Sequence, residues 1–168
     1  MKYYTLLLAA FLLIISCRKN NTPTNSQYKD IETFSYLPNR YIDSVQDYHT
    51  KEYILTNAPG THNTVIQYDH IIATTGYDYL IEFVVDSNAT SFVYADNELK
   101  QHLAHYTSTP RYNPSERINM RITTGTVSGK KVGAAWQVSI NVQLPVTDNT
   151  TGVTRVEVSH DFLNANAD

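Results

Sequence analysis

The chain of 168 residues has a single cysteine, Cys17, so no disulfide bond can form within it. Disulfide bonds often stabilise small exported domains. Without them, the stability of this chain must come from its hydrophobic core. A chain of this length can bury a substantial hydrophobic core. The sequence also lacks an internal repeat of the length that marks solenoids, which favours one globular domain.

Two further absences exclude whole classes of function. Neither GxGxxG nor GxxxxGK[ST] occurs, so the common glycine-rich loops that hold phosphate are missing. The chain has 13 Lys and Arg side chains against 16 Asp and Glu, a net charge of −3, with no basic stripe. Nucleic-acid partners select for such a stripe, so we expect no nucleic acid to bind.

The chain also lacks an apolar run of about 20 residues, the length a membrane-spanning helix needs. The uncharged, mainly apolar stretch near its start covers residues 3–16, only 14 residues. Lys2 precedes this stretch, and the polar sequence RKNN follows Cys17 directly. A basic start, a short apolar segment and a small residue at its end are typical of a secretory signal peptide.

The residues IISC at positions 14–17 resemble the lipobox of bacterial lipoproteins. In that family a signal peptidase cuts before the cysteine, whose sulfur carries a diacylglycerol and whose amine usually carries a further acyl chain. The resemblance implies a signal peptide over 1–16 and lipidation of Cys17. Two or more acyl chains anchor a protein stably in a membrane.

The mature chain is expected to have a tether and one domain. Residues 17–27 are polar after the cysteine and predict a flexible tether, and residues 28–168 predict a single β-rich domain. Without Lys2 the mature chain has 12 basic and 16 acidic side chains, a net charge of −4. Arg18 stands where some bacterial lipoproteins have an inner-membrane retention aspartate, which favours the outer membrane and leaves open the side that the domain faces.

Alternating hydrophobicity predicts most of the strands. Residues 136–144 alternate without exception, residues 154–162 follow the same pattern, and residues 117–122 repeat it more briefly. These three strands are expected to form an antiparallel meander, with a bulge at Gly125 and a hairpin turn at residues 128–131.

A second group of strands lies upstream. Residues 64–73 and 77–85 predict a hairpin around the turn at residues 74–76. Residues 51–56 are a further strand closed by a turn at residues 58–60, and residues 91–95 are a short one.

Two helices are expected beside these strands. Residues 96–106 begin with a favourable N-cap residue and place Leu99, Leu103 and Tyr106 on one stripe. Residues 39–49 predict a second short helix. The expected fold is mainly β, an antiparallel β-sandwich or curved sheet with one or two short helices, and the alternative is an α+β roll.

The sequence gives little support for a catalytic site. The sequence SHD at residues 159–161 has the residue types of a nucleophilic triad, but strand alternation puts His160 on the face opposite Ser159 and Asp161. We therefore assign no catalytic residue.

Two weaker candidate sites remain. Glu98, His102 and His105 fall on one face of the expected helix, where two histidines and a carboxylate are able to bind zinc. Arg117 and Arg121 share one strand face and are candidates for binding a carboxylate or phosphate.

Three hypotheses about function follow. The favoured one is a non-catalytic envelope lipoprotein, a binding or assembly module that is held to the membrane through Cys17 and takes a protein or glycan partner, with no cofactor. The first alternative is a metal-assisted hydrolase that uses zinc at Glu98, His102 and His105. The second is a carrier of a small apolar ligand.

Overall fold

The computed structural model describes residues 29–46, 53–144 and 154–166. Within these ranges the chain forms nine strands, one short α-helix and one turn of 3-10 helix. The strands are β1 (Ile31–Gln46), β2 (Tyr53–Ile72), β3 (Tyr77–Asp86), β4 (Ser91–Ala95), β5 (His105–Pro110), β6 (Ile118–Arg121), β7 (Gly125–Val132), β8 (Ala135–Gln143) and β9 (Arg155–Asn164). Helix α1 covers Asn97–Gln101, and the 3-10 turn covers Pro114–Glu116. The predicted mainly β class is confirmed.

The strands form one mixed sheet in the order β4-β7-β8-β9-β1-β2-β3-β5-β6, which does not close into a barrel. Every neighbouring pair is antiparallel except β1 and β9, which run parallel and pair only briefly, through Ser35–Leu163 and Tyr36–Asn164. This short junction divides the sheet into a first half-sheet (β1, β2, β3, β5, β6) and a second half-sheet (β4, β7, β8, β9).

The inner faces of the two half-sheets pack against each other around a shared core. The Phe83 and Phe92 rings lie 5.7 Å apart between centroids, and the Phe34 and Phe162 rings lie 5.4 Å apart. The largest fully buried side chains come from both halves: Trp136, Phe83, Phe162, Ile66, Ile81, Leu99, Ile122 and Ile140. Burial of this apolar area is the main force that holds the two halves together.

Several predictions from hydrophobic alternation are confirmed. On β3, Tyr79, Ile81, Phe83 and Val85 are all buried, and on β8 the same holds for Trp136, Val138, Ile140 and Val142. The β2–β3 hairpin turns where predicted, and Gly76 adopts φ 71° in that turn. Residues 91–95 form β4 as expected.

The predicted meander of three strands is wrong. β6 pairs with β5, and β8 pairs with β7, a strand that the sequence analysis missed. Residues 128–131 lie inside β7 because Val127 is buried and Gly129 packs beneath the Phe92 ring. Gly125 begins this strand at φ 117°, and a side chain there would meet the carbonyl oxygen of Asn141 at 2.3 Å.

The predicted turn at residues 58–60 is also wrong, because β2 continues through it. The register between β1 and β2 shifts there, between Pro38 and Arg40, and Asn39 adopts φ 56°. Beyond this irregularity the hairpin packs Ile42 against Val65, in a small second apolar cluster on the outer face of the first half-sheet.

Both predicted helices are corrected. Residues 39–46 belong to β1, where 15 register positions pair with β2, and residues 47–49 lie outside the described residues. Helix α1 ends at Gln101 because Leu103 takes a left-handed conformation (φ 54°) and β5 begins at His105. Within the described residues, no helix has the length and apolarity needed to cross a membrane.

Candidate binding cleft

A cleft of about 250 Å³, with polar and apolar groups in its lining, lies on the outer face of the first half-sheet. It crosses β2, β3 and β5 and reaches the segment just before β6. Its lining residues are Asp69, Asp78, Tyr79, Leu80, Thr107, Thr109 and Arg117. Carboxyl, hydroxyl and guanidinium groups thus share one depression in the surface.

Strand register explains why these side chains meet. Asp69 pairs with Leu80, and Leu80 pairs with Thr107, so the three form one row across neighbouring strands. Asp78 and Thr109 form the next row. Cross-strand neighbours on one face lie about 5 Å apart, close enough for a single small ligand to contact several of them.

The two carboxyl groups of the cleft differ in their partners. The Asp78 carboxylate accepts a hydrogen bond from Arg111 Nε at 2.7 Å. Asp69, which is half-buried, has neither an ion pair nor a hydrogen bond to its side chain among the described residues. Burial raises the pKa of Asp69, and the negative charge of Asp78 raises it further.

This environment predicts that Asp69→Asn stabilises the protein at neutral pH. Because the pKa of Asp69 is higher in the folded chain than the ordinary 3.8, its ionised form disfavours folding. The penalty is absent below pH 3.8, grows as pH rises toward the folded pKa, and stays constant above it. We expect Asp69→Asn to raise the melting temperature at pH 7 but to leave it almost unchanged at pH 3, as measured by circular dichroism.

A matched substitution serves as the control for this prediction. Asp78→Asn relieves the same repulsion but also removes the ion pair with Arg111, so it should stabilise the protein less than Asp69→Asn does at pH 7. Equal stabilisation by the two variants, or a gain from Asp69→Asn that persists at pH 3, would contradict the assigned cause.

A buried polar row lies beside the cleft. Gln67 Nε2 donates a hydrogen bond to Glu82, and Glu82 Oε2 lies 3.1 Å from His105 Nε2. Nε2 of His105 is not aligned with Glu82 as in a regular hydrogen bond, while Nδ1 lies 3.1 Å from the Leu103 carbonyl oxygen. Glu82 and His105 are 3% and 0% exposed, so the contact is a buried ion pair or its neutral equivalent rather than an open site.

A second polar cluster lies on the inner face, at one end of the core. The Tyr68 hydroxyl donates to Glu32 Oε1 at 2.5 Å, and the Tyr79 hydroxyl lies 2.6 Å from His70 Nδ1. Burial raises the pKa of Tyr79 to about 12 and raises that of Tyr68 further, so both hydroxyls keep their protons at neutral pH. Asp30 lies nearby, 3.7 Å from His70 Nε2. The cluster pairs most of its polar groups where the core meets solvent, but Nε2 of His70 is buried and forms no regular hydrogen bond.

The three residues predicted to bind zinc are not brought together as a helical face. The Glu98 carboxylate accepts a hydrogen bond from the backbone N–H of Ala95 at 3.1 Å. The His102 ring stacks on Tyr94 with centroids 3.4 Å apart, and His105 faces Glu82. Within the part of the chain that the structure describes, no group of three or more histidine, cysteine, aspartate or glutamate side chains is arranged to hold a metal ion.

The structure places the other residues that the sequence analysis singled out in different surroundings. Arg117 lines the cleft, while Arg121 lies on β6 opposite His105 and outside it. The His160 ring stacks on Phe34 with centroids 4.0 Å apart, on the same face as Phe162. Cys17 lies outside the described residues.

The sequence analysis missed Asp69 and Asp78 as site residues. Both occupy outward positions on strands whose alternation was recognised, so the signal was present as two acidic residues at the polar positions of one predicted hairpin. Their common cleft depends on β5, whose pairing with β3 no local pattern predicted.

No protein-family model matches the chain. Searches of curated proteins and of solved structures found no match either. Inference about function therefore depends on the residues and geometry of the chain itself.

Proposed function

We propose that the protein is a lipid-anchored lipoprotein of the bacterial cell envelope and a non-catalytic binding module for a protein or glycan partner. The anchor is the lipidated Cys17, and residues 17–27 form the tether between membrane and domain. The proposed location is the outer membrane.

The cleft on the outer face of the first half-sheet is the observation that carries the binding function. It combines an Asp69 carboxyl and an Arg117 guanidinium that have no ion-pair partner among the described residues. Protein surfaces normally leave such groups to water, but Asp69 is half-buried and its pKa is raised by that burial. A desolvated charge without a partner favours a ligand that supplies one.

The two alternative functions have less support. A zinc hydrolase would need Glu98, His102 and His105 to converge, and their contacts point to different neighbours. A carrier of an apolar ligand would need space between the half-sheets. That region is filled by large side chains, among them Trp136, Phe83 and Phe162.

A pull-down from detergent-solubilised envelopes tests both parts of the proposal. We expect the wild-type protein to appear in the membrane fraction with an acyl mass on Cys17, and Cys17→Ser to leave that fraction. We expect Arg117→Ala to lose the partner that the wild type captures, because Arg117 lines the cleft.

Arg121→Ala is the matched control, since Arg121 is exposed on the neighbouring strand and lies outside the cleft. It should retain the partner. Capture that survives Arg117→Ala and Asp69→Ala alike would rule out the cleft as the binding site. Finding no acyl group on Cys17 would show that the protein is not anchored through this residue.

A further inference from the structure

We infer that the cleft binds a short zwitterion, a ligand that carries an ammonium group and a carboxylate several ångströms apart, as a dipeptide does. This inference rests on the proposed function and specifies the ligand class of the same site. It follows from the charges that the cleft leaves unpaired and from their positions on the sheet.

Asp69 supplies the end that takes the ammonium group. Its neighbour Asp78 is already paired with Arg111 at 2.7 Å, and Glu82 contacts both Gln67 and His105. Asp69 alone among these three carboxyls forms no contact ion pair or side-chain hydrogen bond in the described residues, although the more distant charges of Arg111 and His70 partly offset the rise in its pKa. A bound cation would restore the charge balance that Asp78 and burial disturb.

Arg117 supplies the end that takes the carboxylate. It follows the 3-10 turn and immediately precedes β6, so it approaches the cleft from the edge opposite β2. It forms no ion pair with a described acidic residue. A guanidinium binds a carboxylate with two parallel hydrogen bonds, which gives direction as well as affinity.

The strand order sets the spacing between the two ends. Asp69 on β2 and Arg117 beside β6 are separated by β3 and β5, which amounts to about 14 Å across a flat sheet. Both side chains line the same cleft, so their charged groups lie closer together than their strands do. An extended chain advances about 3.5 Å per residue, so a dipeptide is the shortest peptide whose two charged ends can lie against separate residues of the cleft.

The middle of the cleft suits such a ligand. Thr109 offers a hydroxyl for a peptide group, and Leu80 offers apolar contact for a small side chain. The Thr107 hydroxyl is buried and already donates a hydrogen bond to Asn119 at 2.7 Å. A neutral sugar would leave both Asp69 and Arg117 without a counter-charge. Burying unpaired charges under a ligand is unfavourable, so the lining of the cleft disfavours a neutral sugar.

Isothermal titration calorimetry with the purified, lipidated protein in detergent tests the inference. The probes are L-alanyl-L-alanine, its N-acetyl derivative, its C-terminal amide and the neutral disaccharide cellobiose. We expect each blocked peptide to bind at least about tenfold more weakly than the free dipeptide, because each loses one charged hydrogen bond. Cellobiose should bind more weakly still.

Two variants test which residue binds which end of the dipeptide. Asp69→Asn should weaken the free dipeptide about tenfold and leave the N-acetyl derivative unchanged, since that probe has no ammonium group. Arg117→Gln should weaken the free dipeptide similarly and leave the amide unchanged. Arg121→Gln is the control and should bind all probes as the wild type does.

Failure of the zwitterion inference can be told apart from failure of the proposed function. No binding of the dipeptide at millimolar concentration, or equal binding of free and blocked forms, would overturn the zwitterion assignment. If Arg117→Ala still abolished partner capture from envelopes in that case, the binding module would stand with a different ligand. Tighter binding of cellobiose than of the dipeptide would identify that ligand as a neutral glycan.

Discussion

Replacing Trp136 with alanine is expected to lower the free energy of unfolding by about 3–5 kcal/mol. Trp136 is 1% exposed and lies on β8, where it faces the first half-sheet. Its ring packs 5.5 Å from that of Phe92, which in turn lies 5.7 Å from Phe83 across the core. Truncation would leave a large void in the layer that joins the two half-sheets.

Chemical denaturation followed by circular dichroism in a nonionic detergent measures this loss. For a chain of this size the melting temperature should fall by roughly 10 °C. Trp136→Phe is the control, since it retains an aromatic ring against Phe92 and should cost less than half as much. A cost below about 1 kcal/mol for the alanine variant would mean that Trp136 does not fill the shared core.

Trp136 also shows which structural features the pattern within one strand can predict. The alternation of β8 predicts that Trp136, Val138, Ile140 and Val142 share a buried face, because period-two burial is a local property of a strand. The partner of that face is not local. Phe83 and Phe92 reach it from strands more than 40 residues upstream, and no pattern within β8 specifies them.

The errors come from competition between local propensity and sheet pairing. Residues 39–46 have a plausible helical stripe, but pairing with β2 at successive positions holds them extended. Residues 128–131 have the composition of a turn, yet they are held in β7 between β4 and β8. In both places backbone hydrogen bonds to a distant strand outweigh propensities of a few tenths of a kcal/mol per residue.

The candidate site was the least predictable part. Arg117 was identified because strand alternation puts it on one face with Arg121, although only Arg117 lines the cleft. The predicted zinc ligands do not share a helical face because helix α1 ends before His102 and His105. The cleft arises where β2, β3 and β5 lie side by side, and β5 joins that group only after β4, which belongs to the second half-sheet, and helix α1. A site built from three strands becomes visible only once their order is known.

The buried pair next to the cleft gives the second large effect. His105→Leu is expected to destabilise the protein by about 3–5 kcal/mol, because Glu82 is 3% exposed and loses its contact with His105. The cost arises from a buried carboxyl that has lost a partner rather than from lost attraction alone. Denaturation at pH 7 measures it.

The double variant Glu82→Leu/His105→Leu separates these two causes. Removing both members leaves no buried charge, so the double variant should be more stable than His105→Leu alone. In a double-mutant cycle the two substitutions should therefore be strongly non-additive. Additive losses would show that Glu82 and His105 stabilise the fold through separate contacts.

An exposed ion pair provides the scale for comparison. Arg155 Nη2 lies 3.4 Å from Glu157 Oε2, a distance similar to that of the buried pair, but these side chains are 56% and 70% exposed. Glu157→Ala should therefore cost no more than about 1 kcal/mol. The contrast tests burial as the deciding variable, since distance is nearly constant between the pairs. If His105→Leu cost no more than Glu157→Ala, Glu82 would be neutral or hydrated in the variant, and burial would not be the deciding variable.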